Sequence, residues 1–251
     1  MFSLQTRVFA ITLAVLSVGV VMFGQILNRS VQEKIPPPSG YARVRYDSGS
    51  FAAWIQTLPL RQDLTIHTFD RRAIVSGAFD VFAVVDMSLL FRSDIEQCAD
   101  FCMRFWAEYY KAANKLNELY LFDYYGRKQS FARSGKSFRE FLRWAFAYSN
   151  SYSLKRGCKA VTGPELQPGD LIVQNERGGI GHVSMIMDVC KSRSGEKLYL
   201  VGFSFMPAQE FHIEKARAPY GNSGWFTLDG YYHYLRDFLN VGTPVLRRFP
   251  G

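Results

Sequence analysis

Only four cysteines occur in 251 residues, and none precedes Cys98. A lipid-modified cysteine near the amino terminus is therefore excluded. None of the cysteine spacings matches a zinc-binding pattern. With only four histidines, the one group that invites a metal is His182, His212 and Asp188, whose spacing is unspecific. No metal and no other cofactor is expected. No internal repeat and no low-complexity segment is present. The 30 Lys and Arg outnumber the 22 Asp and Glu, giving a net charge of +8, but they are scattered and form no nucleic-acid-binding motif. The charge suits an acidic neighbour such as an anionic cell envelope, and nucleic acid is not an expected partner.

What is present argues for one medium-sized domain with a real core, since 48% of the residues are hydrophobic and 16% aromatic. Val8 to Leu27 contains no charge and follows Arg7. Its length suits a membrane-spanning helix, with the basic residue inside. A cleaved signal peptide is the rival, with small residues at Ser17-Val18-Gly19. The reading preferred is an uncleaved anchor over residues 1–30, a Pro-rich spacer over 31–40, and an exported domain over 41–251. That places a membrane-anchored domain on the extracytoplasmic side.

Helical spacing of Phe51, Trp54, Ile55 and Leu58, stopped by Pro59, predicts a helix over 50–58. The apolar run 80–87 reads as a buried strand. Ile95, Cys98, Cys102, Phe105, Tyr109, Ala112, Leu116 and Leu119 fall in steps of three and four, one stripe of a long helix. Ser93 with Glu96, or Asp94 with Gln97, offers a capping box at its start. A second helix is expected over 138–148. Cys98 and Cys102 share one helix stripe, where bridging geometry is poor, so Cys158 with Cys190 is the only disulfide worth entertaining.

Residues 166–209 carry the most information. Three short apolar runs are separated by Gly178-Gly179 and Ser194-Gly195, which predicts an antiparallel meander. His182 opens the middle strand directly after Gly181. An imidazole there is a general-base candidate, and a thiol in the first turn of a helix, as at Cys98, is a nucleophile candidate. Against this stands the position of Cys98 on the buried stripe, where a cysteine ordinarily acts as a small hydrophobe. Asp86, Trp54 and Trp225 are candidate groove residues for a glycan or peptide.

I-P-P-P-S-G-Y (35–41), Q-C-A-D (97–100), F-R-E-F-L (138–142), A-Y-S-N-S-Y-S-L (147–154), Q-P-G-D (167–170), G-H-V (181–183) and S-F-M-P-A-Q (204–209) occur in the order found in a bacterial family. On them the chain resembles domain of unknown function 4846, whose name fixes no chemistry. P-G-D-L-I-V followed by G-H-V-S-M-I-M-D is also similar to NlpC-like, papain-type cell-wall hydrolases. That second resemblance implies Cys98 as nucleophile, His182 as base, and Ser204 or Gln209 as the residue orienting the imidazole. At Phe203 the family pattern has a glutamine, and the usual aspartate before the cysteine is absent.

The expected fold is α+β, a long helix packed on an antiparallel sheet in a papain-like arrangement, after a transmembrane helix. The expected function is an envelope cysteine hydrolase acting on peptidoglycan or peptide amide bonds. The alternative is a non-catalytic binding or scaffold domain.

Overall fold

The computed structural model describes residues 29–75 and 77–251. In chain order, α1 (Val31–Lys34), β1 (Tyr41–Arg43), α2 (Phe51–Gln56) and β2 (Val81–Val84) lead to the longest described helix, α3 (Cys98–Ala112). The hairpin β3 (Tyr120–Phe122) and β4 (Lys128–Ser130) comes next, then α4 (Phe131–Ser134), α5 (Phe138–Tyr148), α6 (Ser151–Gly157) and β5 (Lys159–Ala160). The meander β6 (Leu171–Gln174), β7 (His182–Ser192) and β8 (Lys197–Phe203) forms the centre. After it come β9 (His212–Glu214), β10 (Gly221–Asn222), β11 (Trp225–Phe226), α7 (Leu228–Phe238) and β12 (Val245–Arg248).

Ten of these strands form one sheet in which every pairing is antiparallel. The axis is β7. Its first half pairs with β6, Leu171 opposite Met185, and its second half with β1, Arg43 opposite Cys190. On its other edge lies β8, whose far end continues onto β9 with Phe203 opposite His212. Side chains of a strand alternate between faces. Val183, Met185 and Met187 accordingly join the large core with Phe101, Cys102 and Phe105 of α3, whereas Ile186 joins a smaller core with Tyr231 and Leu235 of α7. Ser184, on that second face, meets the Tyr231 hydroxyl at 2.6 Å.

The expected layout is corrected here. The molecule is organised by the antiparallel sheet with short helices, and no long helix exists among the described residues. The apolar stripe continues to Leu119, but α3 stops after 15 residues. Asn114 adopts φ 56°, a left-handed turn, and Lys115 N–H reaches back to the Tyr110 carbonyl. Periodicity persists past the break because Leu119 enters the same core from β3's side. The papain-like arrangement, read from one long helix, loses its basis with that helix.

Among the described residues no helix is long and apolar enough to cross a membrane. The run Val8 to Leu27 lies outside the described residues. The transmembrane anchor and the membrane-anchored, extracytoplasmic envelope placement built on it are corrected accordingly: the described structure gives them no support. The Pro-rich stretch expected as a spacer lies against the domain. Val31 and Ile35 are buried in the large core, and the Trp225 indole donates to the Pro36 carbonyl at 3.1 Å. Cys158 and Cys190 are both buried free thiols.

Candidate functional site

The amino end of α3 opens into a groove of about 440 Å³. One wall is the helix start, from Asp94 to Asp100. The others are Ser149–Ser151 at the entry to α6, the Gly179–Gly181 turn before β7, and Met206 after β8. Local chemistry builds each wall. Gln97 precedes the helix with extended backbone, and its N–H donates to Asp100 Oδ2 at 3.0 Å, the reciprocal half of a capping box. Asn150 caps α6 by accepting from the N–H groups of Tyr152 and Ser153. Asn175 ties the third wall down. Its amide donates to Ser151 Oγ at 2.8 Å and to the Gly179 carbonyl at 2.9 Å, and its Oδ1 accepts from Gly178 N–H. Gly181 has to be glycine, because a Cβ would lie 2.4 Å from both the Gln174 carbonyl and Ser151 Oγ.

Cys98 is the first residue of α3 and lines the groove. Burial pushes its thiol up to about 11, outweighing the Val183 N–H that points at the sulfur. The dipole of the helix start does not overcome this desolvation. His182, the residue before Val183, is also buried. Desolvation, and then the charge of nearby His212, lowers its imidazole to about 3. Neither ring nitrogen of His182 has a hydrogen-bond partner among the described residues. The thiol thus meets the backbone of Val183, the residue after His182, burial favours the neutral form of both groups, and no hydrogen bond joins the thiol and the imidazole among the described residues.

The His182 ring is packed by aromatics. Phe203 meets it edge to face at 5.1 Å between centroids, and Phe205 lies at 5.7 Å. Phe203 also contacts His212 at 4.5 Å, and His212 Nε2 faces Glu214 Oε2 at 3.1 Å. A phenyl ring therefore occupies the position beside His182 where an acceptor would hold one tautomer. Ser204 donates to the Gln209 carbonyl at 2.7 Å, a turn-closing bond inside the chain. The side-chain amide nitrogen of Gln209 is buried without a partner among the described residues. Neither Ser204 nor Gln209 bonds His182.

The other expected site residues lie elsewhere. Trp225 is fully buried in the large core, and Trp54 stacks on Phe51 and packs on Phe105. Asp86 is exposed at the end of the β2 run, and its N–H donates to the Pro59 carbonyl. None of the three lines the groove. Asp188 is held by Arg43 at 2.6 Å and by Gln56 at 2.6 Å. Among the described residues no group of three or more His, Cys, Asp or Glu side chains is placed to hold a metal.

Sequence reasoning missed Asp100. Its Oδ1 is buried without a partner among the described residues, while the residue lines the groove. Burial, aided by the charge of Glu96, holds its carboxyl well above the usual carboxylate range. The signal was present in Q-C-A-D, where position 100 is the third residue of the helix and an acid there caps it.

Residues 31–131 and 122–237 match the family model described as domain of unknown function (4846). No curated protein and no solved structure matches the chain. The papain-like character expected from the second resemblance is corrected, since no match supports it, and among the described residues no thiol–imidazole hydrogen bond is made.

Proposed function

The chain belongs to the domain of unknown function 4846 family, and within it we propose a binding domain that performs no chemistry of its own. Its site is the groove at the start of α3, and its ligand is a short peptide or a peptidoglycan stem. One observation carries this reading: the buried thiol and imidazole beside the groove are both held in their neutral forms, and His182 has no hydrogen-bond partner among the described residues. Burial disfavours both the thiolate and the imidazolium, the two forms that a working thiol–imidazole pair needs.

What remains is a polar recess suited to amide groups. Cys98, Ala99 and Asp100 line the groove, and Asp100 Oδ1, buried without a partner among the described residues, is left for a peptide amide group. A neutral Asp100 avoids repelling a carbonyl or a terminal carboxylate there.

Two measurements test the proposal on the folded chain. Tri-alanine and a peptidoglycan stem peptide are titrated while the backbone amide signals of Ser151, Gly179 and Gly181 are followed by NMR. Iodoacetamide labelling of Cys98 is compared with that of Cys102. Saturable shifts at those amides, with both thiols labelled slowly at about pH 7.5, are the expected result. Rapid labelling of Cys98 that is lost in His182→Ala would overturn it in favour of an active thiol, and absent shifts would remove the ligand class.

A further inference from the structure

Away from the groove, α4 and the start of α5 fold over the β3–β4 hairpin and enclose a second recess of about 250 Å³. Three cations line it: Lys128 on β4, Arg133 on α4 and Lys136 in the turn that follows. Ser130, Ser134 and the Trp144 indole are also part of the lining, and no Asp or Glu takes part. In a chain with 22 acidic residues, a recess with three cations and no carboxylate is a local excess of positive charge. We propose that it binds a phosphomonoester group.

The turn geometry presents these cations together. Gly135 takes φ 64° at the end of α4, a left-handed turn that glycine adopts without strain. Ser134 Oγ donates to the Phe131 carbonyl and accepts from Lys136 N–H at 3.2 Å, which fixes the turn. The charges are only partly offset within the chain, Lys136 acting on the nearby Glu140 carboxylate and helping to hold it below its usual range. Neither Arg133 nor Lys136 forms a salt bridge among the described residues. Lys128 lies 3.9 Å above the Tyr120 ring, which orders its ammonium without neutralising it. The nearest carboxylate along the chain, Glu140, is engaged in capping α5, where it accepts from Ser137 N–H and Oγ.

The shape of the recess selects among anions. Trp144 is flanked on the helix by Phe141 at 5.9 Å and 21° on one side and by Tyr148 at 6.0 Å and 30° on the other. The half-buried indole is one side chain lining the recess, not the succession of open rings on which bases of single-stranded nucleic acid stack. A compact, doubly charged tetrahedral group fits the cation count, with the Arg133 guanidinium supplying paired donors and the two lysines point charges. Ser130 stands beside it for a hydroxyl of whatever body carries the phosphate.

Calorimetric titration of the chain at low salt tests this with three probes: inorganic phosphate, glucose 6-phosphate and glucose. Saturable one-to-one binding of both phosphates, none of glucose, and an affinity loss of about tenfold or more in Arg133→Gln are expected. Arg133 is exposed and forms no salt bridge among the described residues, so the variant keeps the melting temperature of the parent. Equal affinity for the two phosphates would assign the recognition to the phosphate alone, and tighter binding of the sugar phosphate would add Ser130 and Trp144 to it. No phosphate binding at about 10 mM, or binding unchanged by Arg133→Gln, would overturn the proposal. So would an octathymidylate that binds more tightly than glucose 6-phosphate.

Discussion

Asp100 shows how one side chain can set the character of a recess. Its carboxyl is desolvated and faces the charge of Glu96, so the folded state favours the protonated form. A group whose folded pKa lies above its unfolded value contributes fully below the unfolded value, and that contribution is lost as pH rises through the folded one. Stability should therefore fall with rising pH above about 4 on account of this residue. Asp100→Asn removes the titration while keeping an oxygen for Gln97 N–H. The variant should melt a few degrees higher than the parent at about pH 7.5 and show no gain at about pH 4. A lower melting temperature at both values would mean that the ionised carboxylate is the stabilising form.

At the same scale, the sequence showed residue types and their order but not their state. Cys98 at a helix start and His182 at a strand start were both legible, as was Phe203 beside the imidazole. Whether the pair titrates usefully depends on desolvation, which comes from β8, β9 and the Phe79, Phe203 and Phe205 rings packing around the two histidines. The contact of Phe79 with Phe203 and His212 joins segments far apart in the chain, and no local pattern carries it.

Elements were easier to read where capping and periodicity agreed. Helix α5 occupies 138–148 as expected because Ser137 and Glu140 form a capping box and Phe141, Leu142, Ala145 and Phe146 face the core. Ser137→Ala should cost about 1 kcal/mol, seen as a lower urea midpoint with an unchanged slope. An unchanged midpoint would show that packing alone defines this helix start. Helix α3 was harder. Its stripe runs unbroken into Leu116 and Leu119, so periodicity overshot the true end at Ala112. Only the left-handed Asn114, a residue type that tolerates that conformation, marked the stop. The three strands of the meander were legible because glycine turns bound them. The short strands β5, β10 and β11 have two residues each, too few for any period.

The whole sheet depends on partners that arrive late in the chain. Strand β12, from the last residues, inserts between β5 and β6, pairing Arg247 with both Ala160 and Leu171. No sequence pattern announced this, since V-L-R-R alternates only once. The insertion is fixed by charge. Arg248 grips Asp170 with two bonds of 2.6 Å and donates to the Glu165 carbonyl at 2.7 Å. Asp170 is fully buried, and desolvation raises its carboxyl against the lowering influence of Arg248. Removing the cation leaves that carboxylate buried without a countercharge, a loss that typically costs about 3–5 kcal/mol. Arg248→Met should therefore destabilise the whole domain by about 3 kcal/mol in urea denaturation. Asp170→Asn on top of it should restore part of the loss, because a neutral amide needs no countercharge and its oxygen can still accept from Gln167 N–H. That recovery is the coupling between the last strand and the Q-P-G-D turn. If the double variant were no more stable than Arg248→Met alone, packing of Leu246 and Phe249 would be what holds the carboxyl-terminal strand in the sheet.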